Sequence, residues 1–172
     1  MSKKPPVSEL EFLKLSDNHL ELKRKLSLLG CSSREISEYA QHVSEAWFRL
    51  GEKHLEEANL CESSGCSRAV FSRAYYAAYN ASKAARYIRS GFVSLKGDDH
   101  KAAPLLPGDF PEAEKWSMKL TVLYEHRLCA DYDNWGDTQT RFTLKPADAI
   151  RDADGFINET RAYLNSKCGM IL

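Results

Sequence analysis

Seven polar residues, divided between two segments with helical periodicity, could meet in one cleft. They are Arg73, Tyr76 and Asn80 in the first segment, and His126, Arg127, Asp131 and Tyr132 in the second. In such a cleft an arginine holds a phosphodiester oxygen, a histidine moves the proton of a 2′-hydroxyl group, and tyrosines stack on bases. The alternative is a buried network in which Arg127 and Asp131 neutralise each other and the tyrosine hydroxyls satisfy the remaining polar groups. The residue types alone leave both interpretations open.

The sequence lacks the motifs of most enzyme classes. It has no phosphate-binding glycine loop, no GxSxG and no HExxH. Its 5 cysteines include no CxxC pair, and His42 and His54 do not have the spacing of metal ligands, so no metal site is expected. Cys61 and Cys66 flank a predicted turn that could bring them together, and we expect them to be reduced. No cofactor is expected.

The composition is that of a single folded domain. The 172 residues include 24 acidic and 24 basic side chains, so any contact with nucleic acid must come from a local patch. No apolar run approaches the ~20 residues needed to cross a bilayer, and the charged N-terminus is not followed by an apolar segment. We therefore expect a soluble cytoplasmic protein with no membrane contact.

The segment 66–88 is the predicted centre of the fold. Alanine and other apolar residues recur in it at helical spacing, from Val70 to Ile88. Alanine has the highest helix propensity, and its small side chain lets neighbouring helices approach closely. A second face carries polar groups at the same spacing, on Arg73, Tyr76, Asn80, Lys83 and Tyr87. We expect that second face to be solvated or to lie at an interface.

Capping signals predict two short helices near the N-terminus. Ser8 and Glu11 have the spacing of a capping box, which opens the first helix. Asp17 or Asn18 could cap the second, and Gly30 supplies the left-handed residue that commonly ends a helix.

Three longer helices complete the predicted set. The first begins at a capping box of Ser32 and Glu35 and runs to about residue 61. Its apolar stripe is Ile36, Ala40, Val43, Trp47, Leu50, His54 and Ala58. The second covers about 112–131 and places Arg127 on a core stripe, where Asp131 one turn later can meet it. The last begins at Pro146, a typical first-turn residue.

The predicted architecture is all-α: an up-and-down bundle of four main helices with extra short N-terminal helices. We divide this single domain into a helical extension, 1–32, and the bundle, 33–172. The segment 92–111 is a long loop, functional or mobile by expectation, and it contains His100. A short alternation at 139–144 is interpreted as loop.

The run SRAYYAAYNASKAA of the central helix, followed by HRLCADYDNW, resembles the HEPN domain (higher eukaryotes and prokaryotes nucleotide-binding). The resemblance is strongest to its small stand-alone prokaryotic members and covers about 33–164. It implies a dimeric helical bundle from a toxin–antitoxin or antiviral defence system, often beside a nucleotidyltransferase partner. Active members resemble metal-independent endoribonucleases that use an arginine followed four to six residues later by a histidine, in a site formed across the dimer.

Of the two residues in that motif, only the arginine has a counterpart in this chain, which is Arg127. Where the family's histidine would stand, the chain has Tyr132, Asp133 and Asn134. His126 is adjacent to Arg127, but consecutive helical residues point about 100° apart. His100 can reach a cleft only if its loop folds back. His126 or Tyr132 is thus at most an imperfect proton acceptor.

Two functions are compatible with these residues. The first is a HEPN-like dimeric RNA-associated or interaction protein, an adaptor, antitoxin or scaffold with a degenerate ribonuclease site. The second is an active metal-independent endoribonuclease toxin that uses Arg127. The missing histidine and the neutral charge favour the first function, and the intact arginine with its tyrosine-rich surroundings favours the second.

The expected partners are a second copy of the chain, RNA, and a nucleotidyltransferase-type or other protein. A homodimer is predicted because four helices are few to hide the aromatic surface of Tyr76, Tyr79, Tyr87 and Trp116.

Overall fold

The computed structural model describes residues 8–15, 17–28, 32–95, 97–133 and 142–172. Within these ranges the chain forms six α-helices and one short 3₁₀ helix, which confirms the predicted all-α class. The helices are α1 (Glu9–Leu15), α2 (His19–Leu28), α3 (Arg34–Ser63), α4 (Ser67–Ser90), α5 (Ala113–Tyr132) and α6 (Pro146–Cys168), and the 3₁₀ helix is Asp99–Ala102. In the same ranges, extended pairing is limited to one bridge between Asn18 and Phe92.

Helix α4 lies at the centre of the bundle, as its alanine pattern predicts. It packs against α3, α5 and α6, whereas α3 and α5 make at most a marginal contact with each other. The alanines of its packed face are completely buried. A Cβ atom placed on Gly51 of α3 would lie 2.8 Å from the Ala77 carbonyl oxygen. The backbones of α3 and α4 are therefore too close at this point for any side chain larger than that of glycine.

The second face of α4 is only partly exposed. Arg73 is exposed and Tyr76 is half-buried, but Tyr87 is completely buried. The Tyr87 ring packs edge-on against Trp47 and His19, with ring centroids 5.4 and 4.7 Å apart. The expectation of a solvated or interfacial face is therefore wrong for the last turn of α4, because the N-terminal helices cover that turn.

The aromatic surface that suggested a dimer is mostly hidden within one chain. Tyr79, Tyr87 and Trp116 expose 8%, 0% and 6% of their surface, and Tyr76 is half-buried. Trp116 packs against Phe156 of α6, with ring centroids 5.5 Å apart. This argument for a homodimer is wrong, because the loop before α5 and the N-terminal helices bury aromatic side chains that the four main helices alone would leave exposed.

Local capping signals place several helix ends correctly. The Ser8 N–H donates to the Glu11 carboxylate at 2.9 Å and the Glu11 N–H donates to the Ser8 hydroxyl at 3.3 Å, which is the predicted capping box. The Asn18 side chain accepts from the Glu21 N–H at 3.0 Å and caps α2. Gly91 follows α4 with φ of 81°, the left-handed conformation expected there.

Helix α3 departs from its prediction in two ways. Ser33 rather than Ser32 precedes the first helical residue, and the Ser32 hydroxyl instead donates to the Glu35 carboxylate at 3.2 Å. The expected core residue Leu50 is 41% exposed, and Gly51 takes its place against α4. The packed face is thus shifted by about one residue, because 3.6 residues per turn allow two stripes of similar spacing.

Some predictions concern residues outside the described ranges. These are the end of α2 at Gly30, the position of Asn134, and the part of the 139–144 segment up to residue 141. The described cysteines, Cys61, Cys66, Cys129 and Cys168, are free thiols.

A buried ion pair attaches the 92–111 loop to α4. The guanidinium of Arg86 donates to both carboxylate oxygens of Asp99, at 3.3 and 2.9 Å, and the two side chains are 7% and 3% exposed. The Tyr79 hydroxyl and the Ser94 N–H donate to the same carboxylate. Burial by itself raises the pKa of Asp99, but these donors outweigh it and hold the pKa below its ordinary value. The loop is therefore fastened to the bundle at its 3₁₀ helix.

Removing one partner of this pair should strand a buried charge. We expect Asp99→Ala to lower the free energy of unfolding by about 3–5 kcal/mol, because Arg86 then lacks its carboxylate. The double variant Arg86→Met/Asp99→Leu should lose much less, since no charge remains buried. Urea unfolding followed by circular dichroism measures both values. Arg89→Ala, which breaks the exposed pair with Asp109, is the control and should change stability little. A loss in Asp99→Ala no larger than in this control would contradict the prediction.

Candidate functional site

Arg127 is the centre of a polar cluster formed by α4 and α5. Its Nη2 donates to the Tyr76 hydroxyl at 2.9 Å and to the Tyr132 hydroxyl at 3.3 Å. The guanidinium carbon also lies 5.4 and 5.0 Å from the centroids of these two rings, within the range of cation–π attraction. The structure thus brings together the arginine and the two tyrosines that the sequence singles out.

Asp131 provides the negative charge of this cluster. Its Oδ2 lies 2.8 Å from Nε of Arg127, one helical turn earlier on α5. The Nε–H bond is not aligned with this oxygen, so the contact is an ion pair rather than a hydrogen bond. The Ser72 hydroxyl of α4 donates to the other carboxylate oxygen. Nη1 of Arg127 has no hydrogen-bond partner among the described residues and remains able to donate to a ligand.

Arg68 fixes the end of α5 that carries these residues. Its Nε donates to the Ala130 carbonyl at 2.8 Å and its Nη2 donates to the Asp133 carbonyl at 2.6 Å. These bonds satisfy carbonyl groups that a helix C-terminus leaves without partners. Sequence reasoning missed this role of Arg68, for which the only signal is an arginine in the first turn of α4.

Arg73 and Asn80 lie near the cluster but do not contact Arg127. Arg73 pairs instead with Glu57 of α3, Nη1 to Oε2 at 3.2 Å, and the same carboxylate lies 3.0 Å from Nδ1 of His54. The His54 ring lies 5.7 Å from the Tyr76 ring, centroid to centroid. Asn80 is 6% exposed, and its amide donates to the carbonyl of Tyr76 one turn earlier. Of these two residues, only Arg73 is exposed at the surface.

His126 points away from Arg127 into a different part of the bundle. Its ring packs near Phe71 and Phe142, and its Nε2 accepts from the Leu144 N–H at 3.0 Å. Since Nε2 is an acceptor, Nδ1 carries the proton and donates to the carbonyl of Val122 at 2.9 Å. Both nitrogens are therefore occupied, and this geometry gives His126 a packing role instead of access to a substrate at Arg127.

His100 reaches the cluster because its loop folds back over α4. Its Nδ1 lies 2.9 Å from the Tyr75 hydroxyl, and its ring lies 4.4 Å from the Tyr79 ring and 5.9 Å from the Tyr76 ring. Arg127 and His100 thus flank the same tyrosine. The sequence predicts this contact only if the loop folds back. A sequence signal for that folding is Asp99, next to His100, which forms an ion pair with the buried Arg86.

The environment of His100 favours a neutral imidazole. Burial lowers its pKa, and the positive charge of Arg127 lowers it further. Burial also raises the pKa of Tyr75, which keeps that phenol protonated. Nδ1 of His100 is the only hydrogen-bond partner that the described chain offers to this hydroxyl. Tyr75 therefore donates to Nδ1, and the proton of the neutral ring resides on Nε2.

The cluster is only partly exposed, since the Arg127 side chain is 12% exposed and Tyr132 is 68% exposed. The cavities that the structure describes have other linings: one lies beside Glu38, His42 and Met170, and another beside Phe71 and Phe142. Within the described residues there is no group of three potential metal ligands and no helix long and apolar enough to span a membrane.

Comparison of the chain with protein families, with curated proteins and with solved structures finds no match.

The contributions of Arg127 and Asp131 to stability should depend on each other. Arg127→Ala and Asp131→Ala should each lower the free energy of unfolding by about 1–3 kcal/mol, because each leaves a partly buried charge without its partner. The double variant should cost less than the sum of the two losses. A double-mutant cycle in urea measures the coupling, and the exposed Arg151 and Asp148 pair on α6 is the control cycle. Simple additivity at Arg127 and Asp131 would show that the pair contributes no coupling.

Stability should fall as the pH falls from 7 to 5. The pKa values of His100 and His19 are lowered on folding, in both cases chiefly because of burial. The unfolded chain, whose histidines have pKa values of about 6.5, therefore binds protons that the folded chain resists. The stabilisation by the neutral rings is complete above that value and is lost below it. Melting temperatures across this range should decline less steeply in His100→Asn than in the wild type, and equal slopes would contradict the prediction.

Proposed function

We propose that the protein is a HEPN-like, RNA-associated interaction protein of a prokaryotic toxin–antitoxin or defence system, with a degenerate ribonuclease site. One observation carries this proposal: Arg127, whose side chain is 12% exposed, has an Nη1 without a hydrogen-bond partner among the described residues and lies beside the exposed ring of Tyr132. A guanidinium group is well suited to hold a phosphodiester, and an adjacent exposed ring can stack on a base. The motif resemblance supplies the biological setting.

We describe the ribonuclease site as degenerate because its candidate proton-transfer groups are poorly suited to the reaction. His126 is occupied by backbone groups, and a phenol is in general a weaker proton acceptor than an imidazole at neutral pH, so Tyr132 is a weak substitute. General acid–base help is typically worth 10²–10⁴-fold in rate. Loss of most of that factor leaves binding of RNA as the main activity.

An active metal-independent endoribonuclease is the second candidate function, and the position of His100 favours it. In this reaction the 2′-oxygen of RNA attacks the adjacent phosphorus, the bond from phosphorus to the 5′-oxygen breaks, and the products are a cyclic phosphate and a 5′-hydroxyl. Arg127 would hold a non-bridging oxygen, and His100 would have to move the proton through Nε2, the nitrogen that Tyr75 does not contact. The tautomer set by Tyr75 places hydrogen on Nε2, so His100 can donate to the leaving oxygen but cannot accept the 2′-proton without a switch of tautomer. This limitation makes the first candidate the better supported one.

A homodimer, or a complex with a nucleotidyltransferase-type or other protein, belongs to the same proposal. Only the family resemblance supports such an assembly, because the aromatic residues predicted to lie at an interface are largely buried within the chain.

The test combines RNA binding with RNA cleavage in EDTA. We expect the wild type to bind RNA and to cleave it slowly or not at all. Arg127→Ala should weaken binding by about 10- to 100-fold, in line with the loss of one charged hydrogen bond of about 1.5–3 kcal/mol. Any cleavage should fall in Arg127→Ala and in His100→Ala, and Tyr132→His should increase it. Gel shift and gel-resolved cleavage provide the two readouts, and light scattering on the same samples gives the mass.

Arg151→Ala on α6 is the matched control, since it removes another arginine that pairs with an aspartate on its own helix. Absence of RNA binding by the wild type would overturn the proposal. Rapid cleavage that survives Arg127→Ala would place the chemistry elsewhere in the protein.

A further inference from the structure

The turn between α3 and α4 is a Schellman motif with a cysteine at each of its two ends. The Cys66 N–H donates to the Cys61 carbonyl at 2.8 Å, and the Gly65 N–H donates to the Glu62 carbonyl at 2.9 Å. Gly65 has a φ of 72°, the left-handed conformation that this motif needs just after the helix cap. Cys61 and Cys66 therefore occupy the two positions whose side chains commonly contact each other in a Schellman motif.

The backbone brings the two cysteines within reach of a disulfide. The bonds that join their Cα atoms through the N–H···O=C contact have a total length of about 7 Å, and because this path is bent the Cα atoms are closer than that. Disulfides join Cα atoms that are about 4.4–6.8 Å apart. The Cys66 thiol also lies over the turn, because its Sγ is 3.8 Å from the carbonyl oxygen of Ser64. Side-chain rotation with little movement of the backbone should therefore bring the two sulfur atoms together.

The fold does not explain a thiol at Cys66. Both hydrogen bonds of the motif are made by backbone groups, so the motif itself requires only the glycine. Cys61 is half-buried and packs against a small apolar cluster that includes Val70, which is a usual place for a cysteine. Cys66 is exposed, although free cysteines are among the most buried residue types. A small reagent in solution can thus reach one thiol of the pair directly.

We propose that Cys61 and Cys66 are a redox-active dithiol, which small disulfides of the glutathione type oxidise to an intramolecular disulfide. Both residues are free thiols in the structure, which is the reduced state of this pair. The inference does not depend on the proposed function. It assigns a modification site at the junction of α3 and α4, two residues before Arg68, the side chain that holds the end of α5.

The oxidation proceeds by two thiol–disulfide exchanges. The thiolate of the exposed Cys66 attacks one sulfur of the small disulfide, whose S–S bond breaks, and one small thiol leaves. The thiolate of Cys61 then attacks Sγ of Cys66, the mixed disulfide breaks, and the second small thiol leaves. The two cysteines together lose two electrons and two protons, and both are found in the two thiols released.

The test is peptide mass spectrometry of the full chain after incubation of the reduced protein with oxidised glutathione. Trypsin cuts after Lys53 and Arg68, so one peptide, 54–68, contains both cysteines. We expect this peptide to lose two hydrogen atoms, to carry no glutathione, and to regain its mass in excess reduced glutathione. In Cys66→Ser this loss should be absent, because the remaining thiol of the peptide can form only a mixed disulfide. Cys129→Ser, which removes a half-buried thiol of α5, is the matched control and should behave as the wild type.

A comparison of folded and unfolded protein separates the effect of the turn from that of short separation in sequence. In glutathione buffers of varied composition, the equilibrium constant for oxidation of peptide 54–68 should be at least about 10-fold larger in the folded protein than in concentrated urea, because the folded turn holds the thiols together. Thermal melts of each variant verify that it is folded before oxidation.

Three results would overturn the inference. The first is a peptide 54–68 that stays reduced or keeps glutathione on its cysteines in the wild type. The second is a disulfide that joins Cys61 or Cys66 to a cysteine of another peptide. The third is an equal equilibrium constant in urea, which would show that the Schellman turn contributes nothing to the pairing.

Discussion

Close contact between α3 and α4 is the constraint on which the rest of the structure depends. The alanine face of α4 and the absence of a side chain at Gly51 bring the two backbones together, so that α4 can touch three helices at once. Dispersion forces grow with the number of atoms in contact, and small side chains allow many such contacts along a helix. Because α4 is held in this way, its remaining face has a fixed position between α3 and α5. Tyr76, which the guanidinium of Arg127 contacts, lies on that face.

A buried ion pair on α4 positions the loop that completes the polar cluster. The buried pair of Arg86 and Asp99 attaches the loop, and the loop brings His100 to the tyrosines that Arg127 also contacts. The attachment is strong because the carboxylate accepts from several donors and lies in a poorly solvated place, where an unpaired charge would be costly. The site thus depends on an ion pair that need not touch a ligand itself.

The charges around Arg127 support the proposed binding function better than the alternative of efficient catalysis. Arg127 has a carboxylate beside it, and the nearby His100 imidazole has a lowered pKa and donates from its outer nitrogen. The proposed function would use Nη1 of Arg127 to hold a phosphate. Rapid transfer of a 2′-proton would require a base, and neither His100 in this tautomer nor His126, whose nitrogens are bonded to backbone groups, is arranged as one.

The sequence by itself determined the helices, their central member and the ion pair of Arg127 with Asp131, because these follow from short-range periodicity, capping and a spacing of four residues. It also separated His126 from Arg127, since adjacent helical residues diverge. Only the tertiary structure decided that Tyr87 and Trp116 are buried within one chain, that Gly51 rather than Leu50 faces α4, and that His100 reaches the tyrosines. Burial and loop path depend on contacts between residues far apart in the chain, and local pattern carries no information on which distant group will meet a given side chain.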